Sequence, residues 1–200
     1  KESEKYSLLL TEETFSSLNE DFVEGYLNEE DNLVFEEKSA EVLKAIGFKV
    51  DLRPNPTKQG IKTEIEILLH IDDENICILD AKNYKDKFPL SANLVSHMAS
   101  EYIPIYYGYE GKKVHSFGYL TATDKWSGEG NLSKITKKAA NQTLLEGTNI
   151  KGAIISASAL LGFLDYCLEN DISIEERKNW FASLFINAGF KSVSQMLKYK

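Results

Sequence analysis

Asp80, Ala81 and Lys82 close an apolar run, Ile76-Cys77-Ile78-Leu79, and two more carboxylates, Glu64 and Glu66, lie in the segment before it. Side chains alternate along an extended strand, so Ile76, Ile78, Asp80 and Lys82 share one face, while Cys77, Leu79 and Ala81 share the other. Apolar residues on both faces describe a strand covered on both sides. Asp80 and Lys82 are thus carried to the end of a buried strand, where each needs an opposite charge or a metal. Glu64 and Glu66 share a face of the preceding strand, Gly60–His70, which returns through the acidic turn Ile71-Asp72-Asp73-Glu74. Across that pair they can meet Asp80 and Lys82. Carboxylates on neighbouring strands offer oxygen ligands to Mg²⁺, which keeps several waters and takes further oxygens from phosphate. A metal so held polarises a phosphoryl oxygen and helps make hydroxide from water. A lysine on the same face can orient or deprotonate that water, or neutralise phosphate charge. The expected ligands are Glu64, Asp80 and the Ala81 carbonyl, with Lys82 activating the water. Glu66 competes with Glu64 for the first position.

A plainer reading competes with this one. An acidic residue two positions before a lysine is common by chance, and Glu66 with Lys82 could be a cross-strand ion pair on a solvated face. The apolar character of both faces of the strand argues against that. Glu36 reads as a solvated helix residue, with an auxiliary catalytic role as the alternative. His70, His97 and His115 fall on different elements, which speaks against a histidine nuclease or a zinc site. The serines lack a base and an acid at useful spacing, and Gly128-Glu129-Gly130 is too short to cradle a phosphate. Trp126, Trp180 and Tyr102, Tyr106, Tyr107 and Tyr109 read as packing residues.

The elements that must position these residues follow from periodicity and punctuation. A first helix is expected from Thr11 to about Asn28, with Phe15, Leu18, Phe22 and Tyr26 at helical spacing. A second runs from a cap at Asp31 or Asn32 to Gly47. Phe48–Leu52 is a short strand, and Pro54, Pro56 and Gly60 mark a loop. After Lys82 a charged loop leads to a helix capped by Ser91 and ending near Ile103, where Pro104 opposes continuation. Val114–Thr121 is a strand, Thr123–Gly130 a polar loop, and Asn131–Leu145 a helix with Leu132, Ile135, Ala139 and Leu144 inward. Ile150–Ser156 is an apolar strand, followed by helices over Ser158–Asn170, Ser173–Gly189 and Val193–Tyr199. The expected fold is a mixed β-sheet sandwiched by helices, with extra helices at both ends. Residues 1–30 would form an N-terminal helical segment and residues 31–200 the main domain.

The composition of the 200 residues is that of an ordinary globular domain. No apolar run is long enough to span a bilayer, and Cys77 and Cys167 have no disulfide or zinc spacing. A cytoplasmic setting without membrane contact is expected. The net charge of −8 is unlike that of a nucleic-acid binder. It is concentrated in residues 1–47, which hold four lysines against 13 acidic residues, leaving the remainder nearly neutral. Such a chain would bind DNA poorly on its own.

At this point the motifs resemble the cleavage domain of FokI-type restriction endonucleases, within the PD-(D/E)xK nuclease superfamily. The likeness runs from about Phe35 to Phe185. F-E-E-K-S-A-E resembles the family's first-helix segment, and I-L-D-A-K-N-Y matches its second half-motif at Asp80 and Lys82. G-I-K-T-E-I-E-I stands where relatives carry Pro-Asp, so Thr63-Glu64 replaces that pair. F-P-L-S-A-N-L-V-S-H-M-A-S-E-Y-I, K-G-A-I-I-S-A-S-A-L-L and D-I-S-I-E-E-R resemble the later helix, the last strand and the helices after it. The family usually has Asp at the first ligand, where this chain has Glu64. The resemblance implies an α/β restriction-endonuclease-like fold and Mg²⁺-dependent hydrolysis of double-stranded DNA, with Mn²⁺ as a substitute. It implies a separate recognition domain or subunit and transient homo- or heterodimerisation through Ser91–Tyr102 and Asn131–Ala140. Lys58, Lys62, Lys85 and Lys87 become candidate DNA contacts. The alternatives are a repair nuclease of the same superfamily and an inactive dimerisation or docking subunit.

Overall fold

The computed structural model describes residues 15–54 and 65–200. Their helices are α1 (Glu20–Leu27), α2 (Asn32–Ile46), α3 (Ala92–His97), α4 (Ile103–Tyr106), α5 (Asn131–Ala140), α6 (Ala157–Glu169), α7 (Ile174–Ala182) and α8 (Val193–Met196). Six strands make the main sheet: β1 (Lys49–Leu52), β2 (Ile67–His70), β3 (Asn75–Lys82), β5 (Lys113–Thr121), β7 (Lys151–Ser156) and β8 (Ala188–Phe190), in that spatial order. β1, β2 and β3 form an antiparallel meander, and β3, β5, β7 and β8 run parallel. Two short strands, β4 (Phe88–Pro89) and β6 (Trp126–Ser127), pair separately.

The alternation in β3 splits the interior into two apolar layers. Cys77, Leu79 and Ala81 face α1, α2, α6 and α7 through Tyr26, Phe35, Leu43, Phe163 and Phe181. Ile76 and Ile78 face α3, α4 and α5 through Val95, Ile103, Tyr106, Leu132 and Ile135. The fold is therefore three-layered, helices on both sides of a mixed sheet, with β3 at its centre. Burial on both faces is what takes the end of β3 out of water.

Capping places most boundaries where the sequence expects them. Asp31 accepts from the Val34 amide at 3.0 Å and α2 stops at Gly47, whose φ of 129° suits a residue without Cβ. Ser91 caps α3 and Ser173 caps α7.

Five boundaries differ. Phe15–Leu18 is not helical: Asn19 is the cap, and the Ser17 amide donates to Asp165 Oδ1 on α6, fixing this segment by tertiary contact. Ile65 and Glu66 precede β2 instead of lying in it; residues 60–64 fall outside the described residues, as does the expected helix start at Thr11. Helical structure continues past Pro104, because a π turn over Met98–Tyr102 precedes α4 and Pro104 then sits in its first turn, where no N–H is required. α5 ends at Ala140, so Leu144 is 86% exposed and Leu145 is the buried residue. α7 ends at Ala182, and Asn187 at φ 61° turns the chain into β8, an edge strand absent from the expectation.

Close approach between strands fixes some residue sizes. A Cβ on Gly152 would lie 2.2 Å from the fully buried Phe117 ring. Gly152→Ala is expected to destabilise by about 1–3 kcal/mol through overpacking. Urea denaturation with an unchanged slope would report this, and an unchanged midpoint would contradict it.

Candidate active site

The register of β2 against β3 pairs Ile67 with Leu79, so Glu66, one residue earlier, comes level with Asp80. Leu68, two residues on, belongs to the same layer as Ile76 and Ile78, which puts Glu66 on the Asp80 face. Glu66 Oε2 accepts a short hydrogen bond from the Ala81 amide. Its carboxyl lies close enough to that of Asp80 for the neighbour to perturb its ionisation. Asp80 is buried, and its Oδ1 lies 3.0 Å from Lys82 Nζ. One lysine therefore serves two facing carboxyl groups.

Burial, and then the adjacent Asp80, push Glu66 from its ordinary 4.5 up to about 9, while Lys82 pulls it back only partly. Burial alone would lower Lys82, but Asp80 and then Glu66 outweigh it and hold the ammonium above its ordinary range. The same field reaches the Tyr102 hydroxyl, raised by burial and then by Asp80. Tyr102 ends the π turn, so the helical segment after β3 brings a phenol towards the site.

On the adjoining side, α2 contributes Glu36. It is buried, not solvated, because it packs at the mouth of the site and pairs with Arg53, Nη1 to Oε2 at 2.7 Å. Arg53 also reaches Glu37 at 3.2 Å, and its backbone N–H donates to the Glu66 carbonyl at 2.7 Å. With a φ of 46°, Arg53 turns sharply out of β1. It links α2, β1 and the approach to β2. Asn32, Glu36, Glu66, Ala81, Lys82, Asn83 and Tyr84 together line an open cleft of about 380 Å³.

The structure thus brings Glu66, Asp80, Lys82 and Glu36 together. Glu64, Lys58 and Lys62 lie outside the described residues. Lys85 is exposed and donates to the Glu29 carbonyl, and Lys87 is exposed. Arg53 and Asn83 were not anticipated. A faint signal existed for the first, since the chain holds only two arginines and this one follows a strand directly.

A second cluster lies elsewhere. Ligand atoms of Asp51, His70 and Glu110 come within 4.8 Å of one another. His70 pairs with Ile76, at the opposite end of β3 from Asp80. Its Nε2 is 2.7 Å from Asp51 Oδ2 and its Nδ1 accepts from Lys112 at 2.8 Å, so both ring nitrogens are engaged. A buried histidine bridging a carboxylate and an ammonium is satisfied as it stands.

A family model described as the FokI cleavage domain matches residues 3–185. The chain belongs to the FokI cleavage domain family. Two solved structures of restriction endonuclease FokI share its fold. The DNA-bound one has a TM-score of 0.61 and 15% identity, over 95% of this chain and 33% of that one. The other has a TM-score of 0.64 and 16% identity, over 95% of this chain and 34% of that one. The chain therefore spans about a third of those FokI chains. No curated protein matches the sequence.

Two predictions follow from the electrostatics. Without metal, a Glu66 pKa raised above its unfolded value makes folding stability fall as pH rises from about 4.5 towards about 9. Glu66→Gln is expected to match wild type below pH 4.5 and to be the more stable protein at pH 8–9 in chelator. Chemical denaturation across pH checks this; parallel curves would contradict it. Arg53→Ala leaves the Glu36 carboxylate buried without its partner and is expected to cost about 1–3 kcal/mol. The cost should shrink in a Glu36→Gln background, as a double-mutant cycle would show.

Proposed function

We propose that this domain is a metal-dependent DNA endonuclease, the cleavage module of a type IIS restriction system, with Glu66, Asp80 and Lys82 at its centre. The observation that carries the reading is the facing pair Glu66 and Asp80 beside Lys82 at the end of a buried strand, in a member of the FokI cleavage domain family. The donor set is all oxygen, and two carboxyl groups that share one lysine fit a hard divalent cation. Mg²⁺ or Mn²⁺ would be held by Asp80, by Glu66 or Glu64, and by the Ala81 carbonyl. Such an ion would supply Lewis-acid polarisation of the phosphoryl group and lower the pKa of bound water.

The chain's own residues divide the remaining work. Lys82, kept charged by Asp80, donates hydrogen bonds to the attacking water or a phosphate oxygen, which favours orientation over proton abstraction. The Ala81 amide fixes the Glu66 carboxylate, and the Arg53 amide fixes the Glu66 backbone. Glu36, tethered to Arg53, is an auxiliary acidic group on the cleft wall. Lys85 and Lys87 lie beyond the end of β3, where they can meet the phosphate backbone once Lys85 leaves Glu29.

The substrate is double-stranded DNA, brought by a recognition domain or subunit. Weak intrinsic affinity agrees with the net charge of −8 and with the share of FokI that the chain spans. Cutting both strands needs a second site, from another copy or a related partner. The segments expected to make that contact, Ser91–Tyr102 (α3 and the π turn) and α5, cover the same face of the sheet, where Lys138 Nζ donates to Ser96 Oγ at 3.0 Å.

The test is plasmid cleavage with Mg²⁺ by the chain fused to a DNA-binding domain. Asp80→Ala and Lys82→Ala are each expected to lose about 100-fold or more in rate. Mutants that cut as well as wild type would remove the site assignment. A wild-type fusion that binds its target and never cuts would favour the docking-subunit alternative.

A further inference from the structure

Asn83 follows Lys82 directly, and its two amide atoms have different fates. Nδ2 donates to the Glu29 carbonyl at 3.0 Å, in the turn between α1 and α2. Only the NH₂ end can make that bond, so the orientation of the amide is fixed. Oδ1 is then shielded from solvent and lacks a hydrogen-bond partner, the one such side-chain atom among the described residues. Leaving a buried acceptor in that state is unfavourable.

Asn83 lines the same cleft as Glu36, Glu66, Ala81 and Lys82. None of these neighbours donates to it: Lys82 Nζ is turned to Asp80, the Ala81 amide to Glu66, and Glu36 is paired with Arg53. A bound group can bring the missing donor. A phosphodiester offers only acceptor oxygens. A hydrated divalent cation offers O–H groups, since Mg²⁺ keeps several of its waters.

We propose that Asn83 is a positioning residue whose Oδ1 accepts a hydrogen bond from a water carried by a divalent cation in the Glu66–Asp80 cleft. The inference rests on the metal-dependent reading above. It also gives the turn between α1 and α2 a task, because the Glu29 carbonyl fixes the amide so that Oδ1 is the end left without a partner.

Titration calorimetry with Mn²⁺ alone, without DNA, tests this on wild type, Asn83→Leu and Asn83→Asp. The leucine variant removes the acceptor, whereas the aspartate variant keeps an acceptor and loses the donor to Glu29. The expected result is about a ten-fold loss of Mn²⁺ affinity in Asn83→Leu, in the range of partners outside the inner shell, with affinity kept or raised in Asn83→Asp. Thermal melts in chelator confirm folding, and Asn83→Ala replaces the leucine variant if that one does not fold. Unchanged affinity in Asn83→Leu would overturn the proposal. So would equal losses in both variants, which would assign Asn83 to the Glu29 contact alone. If wild type binds no Mn²⁺, the metal-dependent reading itself fails, an outcome distinct from either.

Discussion

Two carboxyl groups facing each other at the end of a strand buried on both sides is the constraint on which the rest of this structure turns. Glu66 and Asp80 share a single lysine, and burial raises the cost of ionising both. A purely structural end to β3 would replace them with apolar residues at little loss, since buried charges are weak sources of stability. The arrangement makes physical sense when a cation completes it.

The three layers are arranged around that requirement. The meander brings Glu66 level with Asp80 by register, the parallel half of the sheet covers the other edge of β3, and helices seal both faces. α2 and Arg53 close the site from the side, joining a buried glutamate to the turn that sets up β2. The turn after α1 reaches Asn83 and Lys85, so the acidic N-terminal helices are mechanically part of the site. They also place negative charge near the cleft.

The fold was largely legible in the sequence because its periodic signals and caps are local. Asp31, Gly47, Ser91 and Ser173 act within one helical turn, and the double-sided apolar pattern of β3 states its central position. Where the reading departs from the structure, tertiary contacts decide. Ser17 on Asp165 holds Phe15–Leu18 out of a helix, and Asn187, which bonds both the amide and the carbonyl of Gly152, draws three residues into β8. Asp80 and Lys82 could be named from alternation alone. Glu36 and Arg53 could not, because their pairing joins residues 17 positions apart through a left-handed turn that no pattern announces. Asn83 is similar: its importance lies in the bond its amide oxygen does not make.

The central claim is that the Glu66–Asp80 cleft is where the catalytic cation binds. Anomalous scattering from crystals of the protein equilibrated with Mn²⁺ addresses this directly. The account predicts a peak about 2 Å from carboxylate oxygens of Asp80 and Glu66. A Mn²⁺-saturated crystal with no peak there, or with its only peak among Asp51, His70 and Glu110, would contradict it.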